Sequence, residues 1–600
     1  MKRTRLLASI LALSMLLALL TACGGNNANN SGSSNNGEVD PSLVPGDISE
    51  EEKYGGTFVF PISKDPNTLL YAWLISGTTN TISSFLNDKL YLLDEEGNFI
   101  PRMCTEYDVS DDGLVYTFKL REGMKWHDGT SVTTEDIVWT NNVTKEPDWF
   151  TATGVTGIVD VGIWEAVDEL TFTVTIDEPD ALFLSTLTDN YIPQPKHYYD
   201  GLAYGDYPTS EQAVNPIGCG PFRFVEYKVG DYIMLEAFED FWGGRPYLDT
   251  VYFKITGSSQ YTQIAFEAGE VSTMGLTPEY YAEIKDDQRF NFVGGLSENV
   301  ANLSLTDGRM YRFDENGNKK ALYTGDRAIR EAMAYMIPYE EICEKILRGN
   351  CERSYSMLPM SMQYSTEEGL TKYTYDLDKA NQILDDAGYL DTDGDGIRNW
   401  KDGSNIVILC STFTPGSTQE RMGILFAEQL AQCGIASGMK TSESTVWAEH
   451  FLSGMDTVDL DDVETIIYFW EFCSYSPYLG EVAQCVTTYG EYSNQYIDYT
   501  KPGLPLRETI EQEYEPEYLE SQKRVDELFE QIKASADEEE TMTLWQEAQK
   551  ILLDDMIVQV NIGTMYSYDA FQKNIHVEDA MWSINSNYTV RMAENIWIEK

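Results

Sequence analysis

Asp111-Asp112-Gly113-Leu114-Val115-Tyr116-Thr117-Phe118-Lys119-Leu120, followed by Trp126-His127-Asp128-Gly129 and Thr133-Thr134-Glu135-Asp136, is the stretch that decides the fold. Leu114, Tyr116, Phe118 and Leu120 alternate with Val115, Thr117 and Lys119, so one face of a strand is apolar and the other polar. The Asp-Asp-Gly and Asp-Gly pairs supply turns at either end. Thr133 with an acid three residues on is a capping box, which predicts a helix over 135–142. Strand, turn and capped helix in succession are the grammar of an α/β protein.

The same alternation of signals continues outward. Leu170, Phe172, Val174 and Ile176 read as a strand, as do 232–238, 251–255 and 406–409. Asp376 and Gly388 bracket a helix with Leu377, Ala380, Ile383, Leu384 and Ala387 on one face. A second helix over 424–432 closes at Gly434, and Leu544, Trp545, Ala548, Ile551 and Leu552 mark a late amphipathic one. No internal repeat is present. About 547 residues follow the amino-terminal segments, more than one hydrophobic core accommodates, so two or three lobes are expected.

Adjacent His127 and Asp128 invite a catalytic reading. Neighbours on an extended chain point to opposite faces, so a base and its orienting acid cannot sit there. The four histidines (His127, His197, His450, His576) stand beside no Gly-x-Ser-x-Gly or His-Glu-x-x-His motif. No enzyme is expected, although 98 acidic residues leave a glycosidase carboxylate pair formally open. The formal charge of −56 repels phosphate backbones, so nucleic acid is not a partner. Beyond Cys23, eight cysteines have no Cys-x-x-Cys spacing, which argues against zinc; their pairing stays open.

The amino terminus is a processing segment. Lys2, Arg3 and Arg5 precede an apolar run over 6–20, too short to cross the roughly 30 Å hydrocarbon core. The run ends Leu20-Thr21-Ala22-Cys23, which resembles the lipobox of bacterial lipoproteins and implies lipid attachment at Cys23 after removal of 1–22. Residues 24–37 are Gly, Asn and Ser apart from Ala28, with little to bury. Residues 23–53 are therefore expected to be a tether with a reach of roughly 30 Å, holding the body at the outer face of the cell membrane.

The landmarks combine into a resemblance. Gly97-Asn98-Phe99-Ile100-Pro101, the opening stretch, Asn215-Pro216-Ile217-Gly218-Cys219-Gly220-Pro221-Phe222, Phe241-Trp242-Gly243-Gly244-Arg245-Pro246-Tyr247-Leu248-Asp249 and Ala268-Gly269-Glu270 occur in order. The chain thereby resembles the extracellular solute-binding proteins of family 5, the oligopeptide- and dipeptide-binding group, over about 54–600. The resemblance implies an α/β, two-lobed periplasmic-binding-protein-like clamshell (type II) with an extra inserted domain. Lobe I is expected from 54–96, 214–298 and 560–600, the inserted domain from 97–213, and lobe II from 299–559. It also implies a monomeric capture subunit of an ABC importer, partnered by permease and ATPase subunits, that closes over its ligand at a hinge.

In peptide-binding members a cleft strand carries a Trp followed three residues later by an Asp that holds the peptide ammonium. Here Trp470 and Pro477 keep that spacing within Phe469-Trp470-Glu471-Phe472-Cys473, but Cys473 occupies the Asp position. A thiol cannot neutralise a buried cation. Glu471 shares strand parity with Cys473 and is the expected substitute. The resemblance adds Ser76, Gly77, Thr78, Trp149 and Asn561 as ligand-binding candidates. Aromatic walls suit peptide side chains and sugar rings alike, so a peptide ligand is expected, with an oligosaccharide or another small solute, or a sensor without transport, as alternatives. No cofactor is expected, apart from a candidate calcium loop: Asp391, Asp393, Asp395 and Asp402 fall at positions one, three, five and twelve of an EF-hand-like pattern with Gly396 at six. A solvated acidic turn is the competing reading.

Overall fold

The computed structural model describes residues 49–600 other than 67–68, 70–76, 94–97, 145–161, 182, 204–205, 207–209, 306–310, 314–318, 363, 413–416, 442–464, 474–478, 480–481, 483–485, 487–514, 536 and 581–589. Residues 50–600 form one compact unit. Cys23 and the tether up to residue 48, Ser76 and Trp149 lie outside the described residues; the end of the expected tether is instead the helix Glu50–Lys53, part of the compact unit, with the Lys53 ammonium 5.1 Å from the Tyr247 ring centre.

Three larger sheets organise the unit, each with its own apolar cluster. The first is four-stranded, in the order Thr57–Ile62, Thr250–Ile255, Tyr232–Ala237, Phe222–Lys228. Alternation sends Phe58, Ile233, Leu235, Val251 and Phe253 into a core shared with Phe85 of the helix Gly77–Leu86. The second sheet is antiparallel, in the order Cys104–Val109, Val115–Leu120, Thr171–Thr175, Ile163–Ala166. Tyr116, Phe118 and Leu120 are buried as their alternation predicts, and Phe118 stacks on Phe172 at 4.9 Å. Half of the capping box forms: the Asp136 carboxylate accepts from the Thr133 N–H and hydroxyl, at 2.9 and 3.3 Å, while the Asp136 N–H donates to the Thr133 backbone carbonyl at the start of the helix Thr134–Thr144.

The third sheet has seven strands. Its main path runs Thr273–Gly275, Gln559–Gln572, Phe290–Ser304, Thr465–Cys473, Val407–Thr412, Ala436–Thr441, and Cys351–Glu352 pairs with the second of these. Helices Arg327–Met336, Leu377–Asp386 and Thr418–Gln432 supply apolar faces to a cluster with Ala301, Leu303, Val560 and Ile562. Asp376 caps Leu377–Asp386 through the Lys379 N–H at 2.9 Å. A second cluster joins Met357 and Leu358 to helices Pro516–Ala534 and Glu538–Lys550, around the wholly buried Trp545. No helix among the described residues is long and apolar enough to cross a membrane.

The two longest elements of this sheet were not anticipated. Phe290–Ser304 and Gln559–Gln572 are strands of 15 and 14 residues that run antiparallel along each other. One half of the pair, 290–296 against 566–572, ends among Phe266, Phe290, Ala570 and Phe571 near the first sheet. The other half, 300–304 against 559–564, is embedded in the Ala301–Leu303 cluster. Between them the register breaks: Leu296 faces Tyr566 and Val300 faces Thr564, so 297–299 oppose Met565 alone. Such a bulge bends and twists a strand. The boundary expected at 298/299 falls inside this break. The one expected at 559/560 lies at the start of the second strand, whose own extra residue is Ile562, unopposed between Ala301 facing Gly563 and Asn302 facing Asn561.

Candidate functional site

The candidate cleft strand Thr465–Cys473 lies between two neighbours, antiparallel to Phe290–Ser304 and parallel to Val407–Thr412. Register sets Phe469 opposite Leu303, Trp470 opposite Asn302, Glu471 opposite Ala301 and Cys473 opposite Asn299. Residues directly opposite in an antiparallel pair share a face. Positions 471 and 473 therefore fall on the face of 299, 301 and 303, and position 470 on the face of Asn302. The strand's carboxyl end meets the long strand at its register break.

That break is built by side chains as well as backbone. The buried Ser297 hydroxyl donates to the Met565 carbonyl at 3.0 Å and accepts from the Asn299 N–H at 3.1 Å. The Ser361 hydroxyl donates to the Ser297 carbonyl at 3.2 Å. The Asn299 side-chain carbonyl is buried and has no hydrogen-bond partner among the described residues. An orphan acceptor of this kind is uncommon in a folded protein. It sits in register with the position where Cys473 replaces a carboxylate.

Asn561 faces Asn302 across the long pair. Its amide donates to the Tyr355 and Ser356 carbonyls at 3.2 and 2.7 Å and its carbonyl accepts from Gln559 at 2.6 Å, so its polar atoms tie the second long strand to the 355–356 segment. Arg353 reinforces the same joint. Its guanidinium lies 3.9 Å from both the Tyr339 and Tyr355 rings and donates to the Asn561 and Ile562 carbonyls. Gly77 opens the helix Gly77–Leu86, and Thr78 is half-buried in its first turn.

The acidic loop brings three of its four acids together. Carboxylate oxygens of Asp391, Asp393 and Asp395 lie within 4.8 Å of one another, all exposed. Asp391 accepts from the Gly394 and Gly396 N–H groups, which hold its pKa below the usual carboxylate value. Asp402 is not in the group and accepts from the Ser404 N–H and hydroxyl.

The sequence landmarks prove to be joints of the scaffold. Gly218 N–H donates to His127 Nδ1 at 3.1 Å, which places the ring proton on Nε2, 3.1 Å from the Gly220 carbonyl. Burial lowers the His127 pKa to about 4, so the ring is neutral. A methyl at Gly218 would run into the Leu86 carbonyl. Asp128 turns the other way, to His197 Nε2 at 2.7 Å on the surface, a pairing that sequence separation concealed. Trp242 donates to Asp88 at 2.7 Å, and Asp88 and Glu594 flank the buried Arg102 at 2.9 and 2.6 Å. These contacts join the first sheet to the second.

Comparison with known proteins gives this architecture its relatives. The sequence profile of the bacterial extracellular solute-binding proteins, family 5 (middle), matches residues 98–470. The oligopeptide-binding protein AppA of Bacillus subtilis is 29% identical over 447 residues, covering 72% of this chain and 76% of that protein. The dipeptide-binding protein of Escherichia coli is 27% identical over 309 residues, 48% of this chain and 55% of that protein. In structure, Bacillus subtilis AppA in complex with a nonapeptide superposes with a TM-score of 0.72 at 21% identity, covering 91% of this chain and all of that one. The fold is the mixed α/β, type II periplasmic-binding-protein-like architecture. From its matched profile and its three-sheet architecture, the chain belongs to the bacterial extracellular solute-binding proteins of family 5.

Proposed function

We propose that this protein is the solute-capturing subunit of an ABC importer, that its ligands are peptides, and that it takes them by hinged closure of two lobes. The observation that carries the reading is the register break shared by the two long strands. They are the only described strands whose two halves end in different apolar clusters, and the break lies between those halves. A hinge needs a few residues that absorb a change in backbone angles while packed cores on either side stay rigid. The break at 297–299 and Met565 has that character. Peptide as the ligand class is supported by the name of the relative AppA and by the nonapeptide held in its structure.

The orphan Asn299 carbonyl at the end of the candidate strand is an acceptor for a ligand N–H, with Glu471 as the candidate charge for an amino terminus. Lipid attachment at Cys23, export by residues 1–22, a tether over 23–49 and a monomeric state at the outer face of the membrane complete the proposal. Permease and ATPase subunits are its partners.

Native mass spectrometry of the protein purified from its own cytoplasmic membrane tests the ligand class. Retained masses that fragment into peptides are expected. Retained hexose oligomers would overturn the peptide reading and leave the binding scaffold intact.

A further inference from the structure

The two halves of the long-strand pair end in different apolar clusters, and an ion cluster bridges those clusters directly. The helix Pro278–Ile284 buries Tyr280 and Ile284 among Phe266, Phe290 and Ala570 and carries Glu279 half-exposed in its first turn. The helix Thr418–Gln432 buries Met422, Phe426 and Leu430 in the Ala301–Leu303 cluster and carries Arg421. Arg421 donates to the Glu279 carboxylate at 3.0 Å, and the Arg348 guanidinium stands 4.0 Å from the same oxygen. Arg348 follows Leu347 of the Ala301–Leu303 cluster and has a left-handed backbone, φ 55°, a state uncommon outside glycine. One carboxylate on the first cluster is thus flanked by two cations on the second.

A backbone contact joins two further clusters. Tyr116 and Phe183 belong to the core of the second sheet, and the Tyr116 hydroxyl donates to the Asp180 carbonyl at 3.0 Å. Phe183 N–H donates to the same carbonyl at 3.2 Å, so Ala181 is the second residue of a turn. The Ala181 N–H donates across to the Lys533 carbonyl at 2.7 Å. Lys533 lies in the last turn of Pro516–Ala534, whose Leu528, Phe529 and Ile532 pack around Trp545. Carbonyls of a helix's last turn have no intrahelical donor, so Ala181 caps this helix from another core.

We infer that the ion cluster at Glu279 and the cap at Lys533 are two catches that hold the lobes together, so that the closed form is populated before ligand arrives. The inference rests on the hinged-closure reading: with the lobes as expected, Glu279 belongs to lobe I, Ala181 to the inserted domain, and Arg348, Arg421 and Lys533 to lobe II. Opening about the register break parts both contacts. Each catch is weak alone, since an exposed ion pair is screened by salt and a single hydrogen bond replaces one made to water. Both bias the same equilibrium, however, so their effects multiply in the ratio of closed to open forms, by roughly tenfold together. The same ratio tightens the grip on any solute that the closed form holds.

The test uses the full chain without its lipid, stripped of retained solute. The variants are Arg421→Glu, Arg421→Lys as the conservative control, and Ala181→Pro, which deletes the N–H at a turn position that favours proline. Small-angle X-ray scattering reads opening, and amide hydrogen exchange over 180–183 reads the cap. Arg421→Glu is expected to enlarge the radius of gyration and to speed exchange over 180–183 at least about threefold, although the substitution lies at the other catch. Ala181→Pro is expected to enlarge the radius as well, and Arg421→Lys to stay as compact as the wild type. Circular dichroism checks folding, and Arg421→Gln replaces Arg421→Glu if that variant is not folded. The extract stripped from the wild type is then added back. Variants no larger than the wild type that nevertheless contract with the extract would overturn the catches and leave hinged closure standing. A radius that never changes, with or without extract, would overturn both.

Discussion

His127 shows how a residue that reads as chemistry serves the fold. Its neutral ring bridges Gly218 and Gly220, and burial holds its pKa near 4 against an ordinary value of 6.5. Between those pH values the unfolded chain binds a proton that the folded chain refuses, so stability is intact above about pH 6.5 and declines as pH falls toward 4. The full effect is about 3 kcal/mol. Thermal denaturation from pH 7 to 4 is expected to show this loss in the wild type and a flatter curve in His127→Gln; parallel curves would remove His127 from the account. Cys473 poses the opposite question. Register places it beside Asn299 and two residues from Glu471. A carboxylate within about 4 Å of an ammonium gains on the order of 4 kcal/mol at intermediate dielectric before desolvation. Cys473→Asp is therefore expected to tighten binding of a peptide with a free amino terminus at least about tenfold over its acetylated form. Glu471→Gln is expected to narrow the wild-type preference between the two. Calorimetry with both peptides decides, and equal affinities in all three proteins would mean that this face holds no ammonium.

Strands with one polar and one apolar face were legible because their alternation is written in the side chains, as at Tyr116, Phe118 and Leu120. Caps were legible because Thr133, Asp136 and Asp376 carry the atoms that do the capping. The long strands were not. Phe290–Ser304 contains Gly294-Gly295 and then Ser297-Glu298-Asn299, which interrupt any period of two. Their pairing spans roughly 270 residues of chain, a distance at which local pattern carries no signal. The same holds for Asp128 with His197. Ser297 is the residue on which the break depends most directly. Ser297→Ala would leave the Met565 carbonyl and the Asn299 N–H without this partner in a buried setting, a loss of about 1–3 kcal/mol. Lower thermal stability is expected, together with faster amide hydrogen exchange at 297–299; a change in stability with unaltered exchange there would mean that the bulge is held by other contacts.

The whole protein is read as a tethered body with a hinged cleft. Cys23 is the one proposed anchor, since residues 24–37 have almost nothing to insert and the described helices cannot span a bilayer. Cys23→Ala is expected to move the protein from the membrane fraction to the medium, assayed by fractionation with a carbonate wash; retention on the membrane would defeat the anchor. Closure over ligand makes a further demand. A peptide that binds only the folded, closed form must raise the melting temperature by mass action, with the increase growing with peptide concentration. The most direct measurement is a thermal-shift titration of the delipidated protein with a panel of peptides two to nine residues long beside a panel of oligosaccharides. The account predicts a saturable, concentration-dependent rise with peptides and none with sugars. A rise with sugars alone, or hydrolysis of either panel without a shift, would contradict it.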